Sequence, residues 1–577
     1  MFEFFWYDYL IFIVVLSVSA LIGVYYGFFG TKQKTINEYL LGGKKMSVFP
    51  VGISIAVSHF SAILLMAVPA EIYKFGAFYL YANISMILLG FITVYIFLPV
   101  FFNLQITCVY EYLEKRFDRR TRLLASVFFV ISEIMGLSVT LYSPALALSI
   151  VTGYQVHLII IIISAICTFY TAVGGLKTVI WTDFFQMGII FLSLIAVLIF
   201  GFAASENVWN TILAGERLDI FDFSLNPTKR DTFWTFVIGF TTPWIYYASL
   251  TQSGVQKYLT LPTLKDCNNA VKIFVLVLDS ILIICCLLGF LIYSHYANCD
   301  PLLNGKIQKH EQLLPYYIME IAGNVPGVFS LTLTGLFCAS LSTISSSLNS
   351  ISGVIYKDFV TKFIKSEISE KTAGYILRII VIIAGILFLS ISFIIELLGD
   401  MLPLLMSVTA VVDGPSFGLF ASGVLIPKMN AKGAFGGAIL AGIIQAMIII
   451  ISKIYFFNNA IVTIHKPLLI DGCDNQTIWT NSSLISLNNT SHDLTTGSKP
   501  FFIFRLSHHY QCLFGAIVMI ITGLIISHFT KKDNLPVEKV LFSPVIHRFL
   551  SETSTAEKGQ ELQELMTNHK KKCDDTK

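Results

Sequence analysis

The sequence predicts an all-α polytopic membrane protein with about 13 transmembrane helices. Only 13% of its 577 residues are charged, whereas a soluble domain carries about 25%. Apolar stretches of about 20 residues recur along the chain, and each is long enough to cross a hydrocarbon core of about 30 Å. Because lipid offers no water to satisfy backbone polar groups, every spanning segment must be a helix.

The apolar segments define the predicted spans in chain order. Segments of this length, separated by short polar loops, are typical of a helical bundle that crosses the bilayer repeatedly. Their approximate bounds are residues 9–29, 47–70, 77–102, 123–150, 156–173, 183–204, 232–252, 270–297, 326–352, 375–397, 400–426, 434–457 and 511–529.

The placement of basic residues predicts the orientation of these spans. Cytoplasmic loops carry an excess of lysine and arginine, and here one set of alternate loops is rich in them while the opposite set is sparse. We therefore expect an exterior N-terminus and a cytoplasmic tail at 530–577, while the sequon-bearing loop 458–510 makes the plasma membrane the expected location. The basic residues of the predicted cytoplasmic set include Lys32, Lys34, Lys44, Lys45, Lys115, Arg116, Arg119, Arg120, Arg122, Lys257, Lys265, Lys357, Lys362, Lys365, Lys371, Lys428 and Lys432.

The long polar loop 458–510 provides an independent indication of the same orientation. It contains four Asn-X-Ser/Thr sequons, and glycosylation takes place on the lumenal side of the membrane. The expected acceptors are Asn475, Asn481, Asn488 and Asn489.

Three of the ten cysteines, Cys299, Cys473 and Cys512, fall near predicted exterior regions. One disulfide among them is chemically reasonable, but spacing alone does not fix the pairing.

Several classes of function are disfavoured by what the sequence lacks. The longest segments outside the predicted spans are about 50 residues of polar loop or charged tail, too little to build an independent core. No nucleotide-binding loop, zinc constellation or nucleophile motif is present. The net charge of only +3 says little about partners, and we expect no nucleic-acid partner. We therefore expect a membrane protein that is not an enzyme and that works as a monomer in the lipid bilayer.

Polar residues in the middle of two apolar segments predict an ion-binding site. The second span carries serines around Ser58 together with His59, and the ninth carries a run of hydroxyls that includes Ser342 and Thr343. Single serines commonly bond back to their own helix, and small residues favour close helix packing. So many oxygens nevertheless suit a dehydrated monovalent cation, which needs several to replace its water shell.

Two acidic residues have alternative interpretations. Asp183, at the predicted cytoplasmic start of span six, either faces an inward vestibule or is an interfacial residue favoured by the helix dipole. Asp413 lies within span eleven, where an unpaired charge is costly. It either faces a cavity, where it would repel anions or pair with a cation, or lies near the cytoplasmic end of the span, or is protonated in place. Glu133 and Asp279 also fall within spans and receive no predicted role.

Motifs distributed from about residue 5 to 530 resemble the sodium/solute symporter family. Within it, the chain is most similar to the animal branch of sodium-coupled monocarboxylate, multivitamin and iodide transporters. The motifs that carry the resemblance are NEYLLGGKKM at 37–46, VPAEIYKFGA at 68–77, EYLEKRFDRRTR at 111–122, YSPALALSIVTG at 142–153, GGLKTVIWTDFFQ at 174–186, GVQKYLTLPT at 254–263, SLSTISSSLNS at 340–350 and DGPSFGLF at 413–420.

The resemblance implies a leucine-transporter-like fold with a five-plus-five inverted repeat, spans two to six and seven to eleven, working by alternating access. It also implies sodium-coupled import of a small organic anion, a monocarboxylate or a vitamin-type carboxylate. The alternatives are a sugar or polyol symporter, and a sodium-conducting solute sensor on the same fold. The sodium site implied by the family is formed by the carbonyls of Val57, Phe60 and Ala339 and the hydroxyls of Ser342 and Thr343, with Asp183 nearby.

The resemblance also divides the chain into regions. These are the first transmembrane helix and cytoplasmic loop at 1–46, the first repeat at 47–205, an exterior loop at 206–231, the second repeat at 232–426, the last two spans with the glycosylated loop at 427–529, and the tail at 530–577.

The chain departs from its branch at three positions. His59, Leu64 and Asp413 stand where the branch usually has other residues, and an apolar residue at Leu64 makes a second sodium site there doubtful. The residues predicted to contact substrate are Ser58, His59, Tyr81, Gln252 and Asp413.

Overall fold

The computed structural model describes residues 5–26, 36–323, 325–363, 368–395, 401–458, 460–461, 465–473, 500–530 and 538–550. Within these ranges the chain is helical with connecting turns and contains no β-strand. The four predicted glycosylation sites, Asn475, Asn481, Asn488 and Asn489, lie outside the described residues, as do most of the loop 458–510 and residues 551–577.

Fourteen helices, labelled here in chain order, build the membrane bundle in the described part of the chain. They form where the apolar segments of the sequence lie, with short polar stretches between them. Their bounds are α1 Trp6–Val24, α2 Val48–His59, α3 Ala62–Phe75, α4 Ala77–Leu104, α5 Arg119–Thr152, α6 Val156–Ala204, α7 Thr241–Ser249, α8 Gln252–Tyr258, α9 Leu264–Tyr296, α10 Val328–Ile355, α11 Glu370–Ile395, α12 Met401–Leu425, α13 Ala431–Phe457 and α14 Gln511–Phe529.

Shorter helices connect the bundle on both sides. They include Ile36–Leu41, Glu111–Arg116, Val208–Ala214 and Leu313–Ala322.

Fewer helices of the structure are long and apolar enough to span a membrane than the 13 segments predicted from the sequence. Ten described helices qualify, and an eleventh span arises if α2 and α3, bent by 61°, are counted together. The 49-residue helix α6 is interrupted at Gly175, whose φ of 60° and ψ of −170° are reserved almost entirely for glycine. That interruption separates predicted spans five and six. Predicted span seven, 232–252, covers the π-helix Thr235–Phe240 and α7, whereas α8 continues beyond its predicted end; α7 and α8 are individually too short to qualify.

The first helix of each predicted repeat is broken near its middle. The chain leaves α2 at Phe60 and resumes helical geometry after Ser61, which is extended at φ −84° and ψ 168°. Likewise α7 ends at Leu250, and extended Thr251 caps α8 by accepting a hydrogen bond from the backbone N–H of Gly254. Both breaks interrupt the helical hydrogen bonds inside the bundle, which is tolerated where the backbone is buried in protein or lines a cavity, as at the binding sites of secondary transporters.

Packing holds the two breaks side by side at the centre of the molecule. Helix α9 packs along both α2 and α3, while α10 packs most extensively against α6 and also contacts α2. Gly52 and Gly289 allow the close approach of α9. A Cβ on Gly52 would lie 2.8 Å from the side chain of Ile273, and a Cβ on Gly289 would lie 2.6 Å from that of Ile72. The halves of the broken spans are therefore supported on several sides by continuous helices.

A disulfide joins Cys299, just beyond α9, to Cys473, at the start of the sequon-rich loop. Cys512, the third candidate, is a free and buried thiol. Backbone hydrogen bonds continue the connection, from Asp300 to Leu469 at 2.8 Å and from Gly472 to Asn298 at 2.9 Å. The segment 465–473 is therefore fastened across the end of the bundle where α9 terminates.

Candidate functional site

The residues predicted to bind sodium converge where α2 breaks beside α10. The Ser342 hydroxyl lies 3.2 Å from the carbonyl oxygen of Val57 and 2.9 Å from that of Ala339. The Thr343 hydroxyl lies 3.1 Å from the Ala339 carbonyl. Phe60, where α2 ends, is buried, and its N–H bonds back to Val57 at 3.2 Å. Carbonyl and hydroxyl oxygens of two different helices thus meet at one point, as binding of a dehydrated sodium ion requires.

Asp183 lies in a neighbouring cluster and is neutralised there by a lysine. Its Oδ2 accepts hydrogen bonds from the hydroxyls of Ser54 at 2.6 Å and Ser58 at 2.9 Å, and it pairs with Lys257 Nζ at 3.1 Å. The Lys257 ammonium also donates to the Ser54 carbonyl at 3.1 Å and to the Ser58 hydroxyl. Ser58 in turn lies 2.8 Å from Ser346 on α10. The cluster connects α2, α6, α8 and α10 beside the predicted sodium oxygens.

Lys257 corrects one element of the sequence analysis, which places it in a cytoplasmic loop. The side chain is 1% exposed and belongs to α8, the second half of a broken span. Periodicity misplaces it because α8 is short and polar, so the apolar segment seems to end at Gln252. Lys257 therefore does not contribute to the charge excess of the cytoplasmic loops.

A cavity of about 150 Å³ opens between the two broken spans and the helices that surround them. A cavity of that size accommodates a molecule about as large as benzene. Its lining mixes hydroxyls, aromatic rings and two carboxyl groups, and includes Ser58, His59, Ser61, Leu64, Ser132, Glu133, Thr140, Phe240, Trp244, Tyr247, Ser253, Thr343, Ser347, Thr409, Asp413 and His508. Thr343 belongs both to this lining and to the predicted sodium site, so the cavity and the ion site are contiguous.

The comparisons with known proteins address the chain as a whole. The sequence model of the sodium:solute symporter family matches residues 39–442. The chain belongs to the sodium:solute symporter family. It is therefore a transporter and not an enzyme.

Curated relatives resemble this symporter over most of its length. Sodium-coupled monocarboxylate transporter 1 of Xenopus laevis is 34% identical, covering 90% of this chain and 85% of the relative. Sodium-coupled monocarboxylate transporter 2 of Homo sapiens is 33% identical, covering 94% and 87%. A putative sodium-dependent multivitamin transporter of Drosophila melanogaster is 33% identical over 75% of this chain and 73% of its own.

A solved structure shares the fold of the symporter. The substrate-bound, outward-open state of a Na⁺-coupled sialic acid symporter superposes with a TM-score of 0.73 at 24% identity, covering 91% of this chain and 98% of that chain. The predicted fold class, an all-α transporter bundle of the leucine-transporter type, is thereby confirmed.

Two residues predicted to bind substrate lie elsewhere in the symporter. The Tyr81 hydroxyl donates to the carbonyl of Ile220 in the segment before α7, at 3.1 Å. The Gln252 amide bonds the backbone of Val109 at 2.8 Å and Thr107 at 3.1 Å, connecting α8 to the loop after α4. Neither belongs to the described lining of the cavity, whereas Ser58, His59 and Asp413 do.

Sequence reasoning missed several groups that the fold brings into the cavity. Glu133 was noticed but given no role, and Trp244, Tyr247 and Thr409 were not singled out. A polar or charged residue inside an apolar segment indicates a cavity-lining position, and Glu133 is such a residue. An aromatic residue in a span carries no such signal, because packing explains it equally well.

His59 connects the two broken helices of the symporter. Its Nδ1 lies 2.8 Å from the carbonyl of Ile55 in α2, and its Nε2 lies 3.0 Å from the carbonyl of Tyr247 in α7. A neutral imidazole carries one N–H, so it donates to one of these carbonyls and only contacts the other. The ring thus lies between the two breaks and forms part of the cavity wall.

Replacing His59 with alanine is expected to change which solutes the symporter accepts more than its dependence on sodium. The substitution enlarges the cavity and frees the Tyr247 carbonyl, whereas the oxygens of the predicted sodium site keep their positions. We expect the relative apparent affinities for small and large carboxylates to shift about tenfold, a free-energy difference of about 1.4 kcal/mol. Uptake titrations with a carboxylate size series and with sodium measure both effects. Unchanged kinetics for every solute would contradict the assignment.

Proposed function

We propose that this chain is a sodium-coupled symporter that imports a small organic carboxylate by alternating access. The observation that carries the proposal is the meeting of the Val57 and Ala339 carbonyls with the Ser342 and Thr343 hydroxyls, next to the cavity. A monovalent cation bound there would complete one wall of the solute cavity. Binding of ion and solute would then be coupled, because each stabilises the same arrangement of the broken helices.

The relatives support a carboxylate-bearing solute. Those compared above are named as monocarboxylate or multivitamin transporters, and they align with 75% to 94% of the chain. The half-helix that begins after Ser61 has no side-chain cap, its first N–H groups precede the first helical hydrogen bonds to the Ser61 carbonyl, and Ser61 itself lines the cavity. In secondary transporters, such half-helix N-termini bind the anionic group of the solute.

Uptake into proteoliposomes that contain the purified protein tests the proposal directly. Vesicles loaded with potassium are diluted into sodium or potassium medium at a fixed membrane potential, together with labelled carboxylates. We expect accumulation above equilibrium only with the inward sodium gradient. Equal uptake in sodium and potassium would refute sodium coupling, and a sodium-dependent current without solute accumulation would favour a channel or sensor.

The proposal includes the orientation and location of the protein. We propose a plasma-membrane symporter, functional as a monomer, with its N-terminus outside and its C-terminus inside. The distribution of basic residues supports this orientation. The disulfide next to the sequon-rich loop does so as well, because disulfides form in oxidising compartments.

Enzymatic deglycosylation measures the orientation. We expect glycosidase treatment of protein made in animal cells to increase its electrophoretic mobility, because the loop 458–510 would face the lumen during synthesis. Replacing Asn475, Asn481, Asn488 and Asn489 with glutamine should abolish the shift. A wild-type protein that shows no shift would remove this support for an exterior loop.

A further inference from the structure

The cavity contains two acidic side chains and, among its described lining residues, no lysine or arginine. Glu133 comes from α5 and Asp413 from α12, so the fold brings the two carboxyl groups to one cavity from distant parts of the chain. A cavity that selected a solute by negative charge alone would not be expected to contain two carboxyl groups.

Asp413 is only partly satisfied by the protein. The residue is 1% exposed; its Oδ2 accepts a hydrogen bond from the Tyr247 hydroxyl at 2.6 Å, while Oδ1 has no hydrogen-bond partner among the described residues. A buried carboxylate oxygen without a partner is costly. Glu133 interacts with two hydroxyls, those of Ser347 and of Ser253, the latter at 3.3 Å, a long distance for a bond to a charged group. Both groups keep acceptor capacity for a ligand in the cavity.

Aromatic rings form part of the same lining. Phe240, Trp244 and Tyr247 all contribute from the first half of the seventh span, and the rings of Phe240 and Trp244 lie with centroids 5.9 Å apart. The faces of such rings attract cations, and clusters of them are a recurring way to recognise substituted ammonium groups. Carboxylates and aromatic faces together favour a positive nitrogen over a neutral or negative group.

We infer that the transported solute carries a cationic nitrogen as well as its carboxylate, so that this symporter selects small zwitterions. The inference rests on the proposed function and specifies its substrate class. The ammonium group lies among Glu133, Asp413 and the aromatic rings, while the carboxylate faces the N-terminus of α3 at Ser61. A zwitterion of about six to eight non-hydrogen atoms suits a cavity of 150 Å³.

Pairs of solutes that differ only at the nitrogen isolate its contribution. Trimethylglycine and 3,3-dimethylbutyrate have the same shape, but the first has a positively charged nitrogen where the second has a carbon. In the second pair, 4-aminobutyrate has an ammonium group where pentanoate has a methyl group. Sodium-driven uptake of each labelled solute is measured in the proteoliposomes described above. We expect the zwitterion of at least one pair to be taken up about tenfold more efficiently than its uncharged-nitrogen counterpart.

Isosteric variants test whether the two acidic residues cause the preference for the zwitterion over the plain carboxylate. Asp413→Asn and Glu133→Gln should each reduce the zwitterion-to-carboxylate ratio about tenfold. The matched control is Asp279→Asn, because Asp279 is also an acid within a span, on α9, but it is not part of the described lining. Size-exclusion profiles identify variants that fail to fold, and the wild-type ratios test the inference without any variant.

The outcomes separate this inference from the function on which it rests. Sodium-driven uptake of the plain carboxylates at least as efficient as that of the zwitterions would overturn the inference and leave the symporter proposal intact. Ratios unchanged by both Asp413→Asn and Glu133→Gln in folded protein would also overturn it. Absence of sodium-driven uptake for every solute of both pairs would overturn the proposed function and the inference together.

Discussion

Replacing Asp183 with asparagine is expected to destabilise the protein by about 3 to 5 kcal/mol and to abolish sodium-driven uptake. The substitution leaves the Lys257 ammonium, 1% exposed, without its countercharge inside the bundle. Removing one partner of a buried ion pair costs far more than the pair contributes in total, because the remaining charge stays desolvated. Thermal unfolding of the detergent-solubilised protein, followed in parallel with uptake, measures both losses.

A double variant tests the cause of the loss. Asp183→Asn combined with Lys257→Met removes both charges, and it should recover much of the stability lost by the single variant. The exposed pair Asp222 and Lys229, with Oδ2 and Nζ 2.8 Å apart, provides the control. Asp222→Asn there should cost at most about 1 kcal/mol, since water screens the pair. Equal effects of Asp183→Asn and Asp222→Asn would contradict the importance of burial.

Removing one hydroxyl from the predicted sodium site should weaken sodium binding strongly. Ser342→Ala and Thr343→Ala each eliminate an oxygen that would coordinate the ion, and a bond to a charged group contributes about 1.5 to 3 kcal/mol. We therefore expect the half-saturating sodium concentration to rise about 10- to 100-fold for each variant. Sodium titrations of uptake at constant solute concentration measure the change.

Ser352→Ala is the matched control for these two variants. Its hydroxyl is buried on the same helix α10, and it bonds the carbonyl of Asn349, within its own helix, at 2.8 Å. We expect its sodium titration to match that of the wild type. If the Ser342→Ala and Thr343→Ala curves also matched the wild type, sodium would have to bind elsewhere.

Much of the fold could be predicted from the sequence because membrane insertion imposes a simple rule. The predicted spans are mainly helical in the described part of the chain, apart from the breaks in spans two and seven, since a bilayer permits no other continuous structure for an apolar segment. The break in span two was indicated by the polar run around Ser58 and His59. The break in span seven was not, because the polar residues Thr251, Gln252 and Ser253 looked like the end of a span.

The candidate site was predictable only in part. Hydroxyls of span nine indicated an ion site because they exceed what helix packing requires. The partner of Asp183 could not be found, because Lys257 lies 74 residues away and local sequence carries no information about which helices touch. Tyr81 and Gln252 were misplaced for the same reason. Their polar groups form hydrogen bonds with segments outside the cavity. The sequence alone does not show which segments are neighbours in the folded protein.

The broken seventh span has a consequence for how the protein enters the membrane. Its second short helix, α8, carries the buried Lys257, and a charged side chain makes insertion of a segment into lipid less favourable. This segment is therefore a poor candidate for independent partitioning from the translocon into lipid. The strongly apolar α9 follows after a short turn, and both can enter together as a hairpin. Asp183 precedes Lys257 in the chain, so the residue that supplies the countercharge of the lysine is synthesised first.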